Sequence, residues 1–249
     1  MAGTAVRGRL SWYAATVIER RKETLTASTL ALNVPGWPGH VAGQHVDVRL
    51  RAADGYAAAR TYSIASAPNG ERIEITVELM PDGEVSPYLV ETIAPGDPVE
   101  ILGPIGGWFV WRPQQTEPIQ LIAGGSGIVP LMATIRSRNQ SGSRVPFRLI
   151  YSVRTPEALI YGGELHELAN EDDGILVSYA YTRVAPPGWP AAPGRVDGRL
   201  VSEKAIPAAE NPTCYICGPT GMVEAVSALL IQAGYNADRV KTERFGPTG

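Results

Sequence analysis

The chain has 249 residues, 44% of them hydrophobic, which suits one large or two modest globular domains. Its 22 basic and 25 acidic residues leave a formal net charge of −3 and no long single-sign run, which argues against nucleic acid as a partner, since that needs a concentrated basic face. The two cysteines, Cys214 and Cys217, imply no disulfide framework and a cytoplasmic home, and the N-terminal MAGTAVRGRLSWYAATVIERR has no apolar core long enough for a signal peptide or a membrane span.

Five short β-rich runs open the chain: YAATVIERR (13–21), STLALNV (28–34), HVDVRL (45–50), RTYSIAS (60–66) and RIEITVEL (72–79). Turn signals divide them, among them PGWPGH (35–40), AADG (52–55) and APNGE (67–71). Short strands at this spacing predict a small antiparallel β-barrel. SPYLVETIAPGD (86–97) reads as its one short helix, with Ser86 as N-cap and Pro87 at the first helical position.

Within RTYS, strand alternation places Arg60 and Tyr62 on one face and Thr61 and Ser63 on the other. A cation beside an aromatic ring could grip something anionic and flat. An edge strand with a solvated arginine and a packed tyrosine would show the same pattern. In DGEVSPYL, Gly83, Val85 and Ser86 offer backbone N–H groups and a hydroxyl at a helix start, a candidate phosphate site.

The rhythm changes at WRPQQTEP (111–118), dividing the chain into domains 1–112 and 113–249. IQLIA (119–123), FRLIYSV (147–153), ILVSYAYT (175–182), TCYIC (213–217) and VKTERF (240–245) read as strands. VPLMATIRSRN (129–139), GGELHELAN (162–170) and MVEAVSALLIQAG (222–234) read as helices between them. That alternation predicts a parallel sheet covered on both faces, with ligands bound beyond the carboxyl ends of the strands.

Two turns stand at those ends. In IAGGSGIVP, Gly124, Gly125, Ser126 and Gly127 lead into a helix whose free N–H groups and dipole suit a diphosphate, although the spacing is not G-x-G-x-x-G and a tight turn with no ligand would read alike. In CYICGPTGM, Cys217, Gly218 and Pro219 leave the sheet and Thr220 could cap the next helix. Cys214 and Cys217 have C-x-x-C spacing, but on a strand they face opposite sides and cannot form a disulfide. No second cysteine pair supports zinc or an iron–sulfur cluster.

RTYS, GEVS, GGSGIVP, CGPTGM and the terminal ERF, in this order, resemble the ferredoxin–NADP(H) reductase superfamily over nearly the whole chain. The resemblance implies a flavin-binding antiparallel barrel followed by a parallel α/β nicotinamide-nucleotide domain. By that likeness Arg60 pairs with the flavin diphosphate, Tyr62 packs on the flavin ring, and Thr61 and Ser63 also bind the cofactor, with Ser63 near flavin N5. Gly83, Val85 and Ser86 hold a diphosphate, so FAD is expected rather than FMN. The loop from Gly124 to Pro130 takes the diphosphate of the nicotinamide dinucleotide. Gly218 and Pro219 flank Cys217, which lies beside the nicotinamide, and Glu243 is a proton-relay partner of Ser63. Phe245 matches a flavin-stacking aromatic, but GPTG extends past it, and a packed strand-end ring is the other reading.

NADPH is expected over NADH, because Arg154, Arg183 and Arg195, with Thr182, resemble the positions where NADPH-using members carry 2′-phosphate-binding arginines; ordinary surface loop arginines, with NADH used instead, are the other reading. The implied acceptor is a ferredoxin, a flavodoxin or an oxygenase component. A small acceptor such as free flavin or a ferric chelate, and a non-catalytic electron-delivery or nucleotide-sensing subunit, are the competing readings. His40 and His166 read as loop and helix-surface residues, and His45 as packed or solvent-facing, with a flavin contact as the other option. Trp108 and Trp111 are expected to pack at the domain junction.

Overall fold

Alternation in the first half resolves into six antiparallel strands: β1 (Ser11–Lys22), β2 (Ala27–Asn33), β3 (His45–Arg51), β4 (Ala57–Ser63), β5 (Arg72–Glu78) and β6 (Pro98–Ile105). The computed structural model describes residues 10–52, 54–170 and 175–245. The first nine residues, Ala53 of the AADG turn and the GPTG tail lie outside the described residues. Strand order is β4-β3-β6-β1-β2-β5, and the sheet curls until Ile64, just past β4, bridges Ile75 of β5. Its inner face buries Val17, Leu30, Leu32, Val46, Val48, Ile73, Ile75, Val77 and Ile101 as one core.

Two features of this half differ from the sequence reading. β6 was not expected, because Pro98, Gly103 and Pro104 interrupt PVEILGPI; yet it runs through the middle of the sheet between β1 and β3. The helix is a short turn at Tyr88–Thr92, and Ser86 does not cap it. The buried Ser86 hydroxyl instead accepts from the Met80 N–H at 3.0 Å, tying down the loop before the turn.

The second half carries five parallel strands in the order β11-β10-β7-β8-β9. They are β7 (Ile119–Gly124), β8 (Phe147–Val153), β9 (Ile175–Tyr181), β10 (Thr213–Pro219) and β11 (Val240–Phe245). Helices α1 (Ile128–Gln140) and α2 (Gly162–Asn170) cover one face, where Leu121, Leu149, Tyr151 and Tyr215 meet Leu131, Met132, Ile135 and Leu165. Helices α3 (Gly198–Lys204) and α4 (Thr220–Gln232) cover the other, where Ile122, Ile150 and Ile216 meet Val201, Val223, Val226 and Leu230. α3 was not expected; Asp197 caps it by accepting from the Leu200 N–H at 2.8 Å. Thr220 is the first helical residue of α4 and its side chain caps nothing.

Side chains from both halves lock at the junction. The buried Tyr161 hydroxyl bonds to Thr76 on β5, which bonds to Thr29 on β2 at 2.7 Å. Arg136 on α1 donates to the Ala65 carbonyl at 2.9 Å, pairs with Glu164 and lies 4.8 Å from the Tyr161 ring. Trp111 is fully buried and meets Phe147 edge-on, as a junction residue should. Trp108 does not pack there: it is 62% exposed, with the Lys241 amine 5.5 Å from its ring. His40 is no surface loop residue; it is buried, accepting from the Trp37 indole at 3.3 Å and contacting the Ser66 carbonyl at 3.1 Å.

Candidate active site

β3 and β4 form a hairpin whose register sets His45 opposite Ser63, Val46 opposite Tyr62, Asp47 opposite Thr61 and Val48 opposite Arg60. Tyr62 and Ala58 turn toward the barrel core, and Arg60, of the same parity, reaches solvent at the strand edge. Thr61 faces away and donates to Asp47 at 2.5 Å. Ser63 shares that second face but sits where the two halves meet. It is 4% exposed, and its buried Oγ has no hydrogen-bond partner. An unpaired buried hydroxyl costs about 1–3 kcal/mol, so such a group usually awaits one.

The nucleotide-type sheet brings its own groups to the same junction. β10 and β11 run side by side with Cys217 in register with Glu243. The Glu243 carboxylate reaches back toward β3, with Oε1 3.7 Å from His45 Nδ1, while Oε2 is buried without a partner. Ser63, His45, Glu243 and Cys217 therefore form one connected line from sheet to sheet. Burial pushes the Glu243 carboxyl up to about 7 and pushes the His45 imidazole below its ordinary value, although Asp47 pulls the imidazole back up. The two face each other as neutral groups in weakly acidic solution. Burial first, and Glu243 second, push the Cys217 thiol well up, so it is a thiol and not a thiolate.

Close backbone packing holds the two turns of the second half together. A Cβ on Gly127 would fall 2.1 Å from the Cys217 carbonyl oxygen, and one on Gly124 would fall 2.3 Å from the Met222 sulfur. Only glycine lets the β7–α1 turn lie against the end of β10. Gly125 has φ +53° and open space where a Cβ would be; it and Ser126 form the accessible part of that turn, ahead of α1. Gly218 is buried and Pro219 exposed at the end of β10. Cys214 and Cys217 lie in the two different cores, on opposite faces of the sheet, and both are free.

The remaining sequence candidates fall into three groups. Val85 is fully buried in the barrel core and the Ser86 hydroxyl is committed to Met80, which leaves the backbone of 83–86, and not that hydroxyl, to face a phosphate. Arg154, Thr182 and Arg183 gather at the carboxyl ends of β8 and β9, where the Arg183 N–H donates to the Arg154 carbonyl at 3.0 Å and the Thr182 N–H to the Val153 carbonyl at 2.8 Å. Arg195 adjoins them, because the neighbouring Gly194 N–H donates to the Tyr181 carbonyl at 2.8 Å. All three arginines are exposed, and among the described residues none forms an ion pair. Phe245 is partly buried and packs against the α1-side core.

These residues fit the groups the sequence implied. Each half has an accessible turn for a diphosphate, and two unpartnered buried oxygens, Ser63 Oγ and Glu243 Oε2, lie at the seam between them. His45, read from the sequence as packed or solvent-facing, lies between Ser63 and Glu243. The signal was present: a hairpin centred on the AADG turn pairs His45 with Ser63.

Comparison with known proteins agrees with this division. The chain matches the oxidoreductase FAD-binding domain family over residues 16–110 and the oxidoreductase NAD-binding domain family over residues 121–228. It is 30% identical over 193 residues to the ferredoxin–NAD(P)(+) reductase component of the naphthalene 1,2-dioxygenase/salicylate 5-hydroxylase systems of Ralstonia sp, covering 76% of this chain and 57% of that protein. It is 32% identical over 187 residues to NADH-cytochrome b5 reductase 1 of Aspergillus terreus, covering 72% of this chain and 62% of that protein. The chain thus spans less than two thirds of the length of these curated relatives. Among solved structures, a cytochrome P450 reductase from Amycolatopsis superposes with a TM-score of 0.82 at 27% identity, over 99% of this chain and 74% of that one. A flavin-type half-barrel and a nicotinamide-type parallel sheet, matched in order along one chain, place it in the ferredoxin–NADP(H) reductase superfamily of FAD- and NAD(P)-binding oxidoreductases.

Proposed function

We propose that the chain oxidises NADPH through FAD and delivers the electrons to a separate carrier protein, a ferredoxin, a flavodoxin or an oxygenase component. The observation that carries this reading is the line Ser63–His45–Glu243–Cys217, drawn from both sheets and holding two unpartnered buried oxygens. FAD, when bound, supplies the ability to accept two electrons together and release them one at a time.

The chain's own residues bind, orient and hold protons. Arg60 and the backbone of 83–86 would hold the flavin diphosphate from the first half, residues 1–112, and the partly buried Tyr62 would offer its ring beside them. Burial raises the Tyr62 hydroxyl to about 12, so the ring meets the flavin as a neutral phenol. In the second half, 113–249, the turn of Gly124–Gly127 and the start of α1 receive the diphosphate of the nucleotide. Arg154, Arg183 and Arg195 would hold its 2′-phosphate, and Thr182 would add a hydroxyl. Ser63 Oγ and the Glu243 carboxyl would offer hydrogen-bond partners where the nicotinamide and flavin rings meet, with the buried Cys217 thiol in the core behind them. Positioning the two rings in contact is the main contribution such a site makes.

The names of the relatives support a protein acceptor, since one of them serves dioxygenase and hydroxylase systems. The test is NADPH oxidation by the FAD-loaded protein with ferredoxin, flavodoxin, free flavin and ferric citrate as alternative acceptors. A carrier protein should be reduced with the highest kcat/KM. Faster reduction of free flavin or ferric citrate would assign the chain to small acceptors instead.

A further inference from the structure

Glu84 lies in the middle of the proposed flavin-diphosphate loop, and its carboxylate already holds the arginine that the diphosphate needs. Arg60 Nη2 donates to Glu84 Oε2 at 2.8 Å, and Arg60 Nη1 donates to the Ala59 carbonyl at 2.8 Å. The Tyr56 hydroxyl donates to the other carboxylate oxygen, Oε1, also at 2.8 Å. A phenol and a guanidinium thus grip one carboxylate from two sides.

The loop around it has little freedom to point Glu84 elsewhere. Val85 is fully buried in the barrel core, and Ser86 Oγ bonds to Met80. A Cβ on Gly83 would sit 3.0 Å from both the Met80 carbonyl oxygen and Ser86 Oγ. Pinned on both sides, the loop directs the Glu84 side chain at Arg60. The hydrogen bond from Tyr56 and then that from Arg60 hold the carboxyl below its ordinary range, so it is an anion at neutral pH.

We infer that Glu84 is a built-in competitor for the FAD diphosphate: the carboxylate and the diphosphate exchange on the Arg60 guanidinium, and the chain holds FAD more loosely than Arg60 alone would. This inference rests on the FAD reading of the same site. Both partners of the pair are about half exposed, at 51% and 52%, so water screens it and the competition tunes affinity without blocking the site. A diphosphate that takes Arg60 must also face the displaced carboxylate, a like charge at short range. One surface carboxylate then tunes how tightly FAD is held.

Equilibrium titration with FAD, followed by quenching of its fluorescence, tests this on wild type, Glu84→Gln, Arg60→Ala and the double variant. Glu84→Gln should bind FAD about threefold to fivefold tighter, the range an exposed ion pair supports. In the Arg60→Ala background the same change should bring less than half of that gain, because the contested group is gone. Unchanged or weaker binding by Glu84→Gln overturns the inference. So does an equal gain with and without Arg60, which would mean general charge repulsion. FAD uptake with no Glu84 effect overturns this inference alone, whereas no FAD uptake by any form overturns the flavin reading and this inference with it.

Discussion

Glu243 on β11 stands 3.7 Å from the His45 imidazole on β3, so the last strand of the nucleotide-type sheet touches the flavin-type sheet at the candidate site. The contact ties β11 to the β3–β4 hairpin, across nearly 200 residues by their numbering.

Burial raises the Glu243 carboxyl from 4.5 to about 7, and that sets a pH dependence of stability. Below about pH 4.5 both folded and unfolded chains carry the proton, and the raised value costs nothing. As pH rises toward 7, the unfolded chain ionises while the folded one does not, so stability falls and the full penalty is present above 7. Glu243→Gln, which never ionises, should therefore gain about 1–3 kcal/mol relative to wild type between about pH 4.5 and pH 8. Denaturant unfolding of both proteins at the two pH values checks it; a difference independent of pH would contradict the burial of this carboxyl.

Cys217 is a protonated thiol packed in the core, and its predicted role is steric. The wild-type thiol should resist iodoacetamide in the folded protein. Cys217→Ala should keep FAD while slowing reduction by NADPH roughly tenfold, because a misplaced ring loses its close approach. Stopped-flow absorbance gives the rate, and an unchanged rate removes Cys217 from the mechanism.

Gly127 has ordinary helical φ, so its requirement is for space alone. Gly127→Ala would place a methyl 2.1 Å from the Cys217 carbonyl oxygen and force the β7–α1 turn off the end of β10. The expected cost is about 1–3 kcal/mol of stability together with weaker NADPH binding. Thermal unfolding and a KM measurement follow the two effects. A variant with native Tm and KM would show that the turn and the strand are not in this contact.

The exposed Arg154 and Arg183 at the ends of β8 and β9, with Arg195 beside them, predict the choice of nucleotide. Arg183→Ala and Arg154→Ala should each lower the ratio of kcat/KM for NADPH to that for NADH by about 10-fold, with NADH itself nearly unaffected, since a charge-assisted bond to phosphate contributes about 1.5–3 kcal/mol. Steady-state kinetics with both nucleotides decides it. A wild type that favours NADH, or an unchanged ratio, would return these arginines to the solvated surface.

Where periodicity was strong, the sequence was readable. The five parallel strands, the two-sided helical cover and the split of Cys214 from Cys217 all follow from alternation. β6 escaped because its proline and glycine residues read as breakers, yet its neighbours in the sheet, β1 and β3, pair with it regardless. Ser86 and Thr220 misled because a hydroxyl at a helix start is only a candidate cap; Ser86 instead closes the loop back onto Met80, and α4 starts without a side-chain cap. His45 and Glu84 gained meaning only from partners distant in sequence, Glu243 and Arg60, which no local pattern announces.

The central claim is that both halves act on one shared pair of cofactors. Mixing the FAD-loaded protein with NADPH in the absence of oxygen, and following the visible flavin band in a stopped-flow cell, tests it most directly. The account predicts FAD retained at one equivalent and rapid loss of the oxidised-flavin band after mixing, slower in Cys217→Ala. A protein that takes up FAD but whose flavin band is unchanged by NADPH or NADH would contradict it.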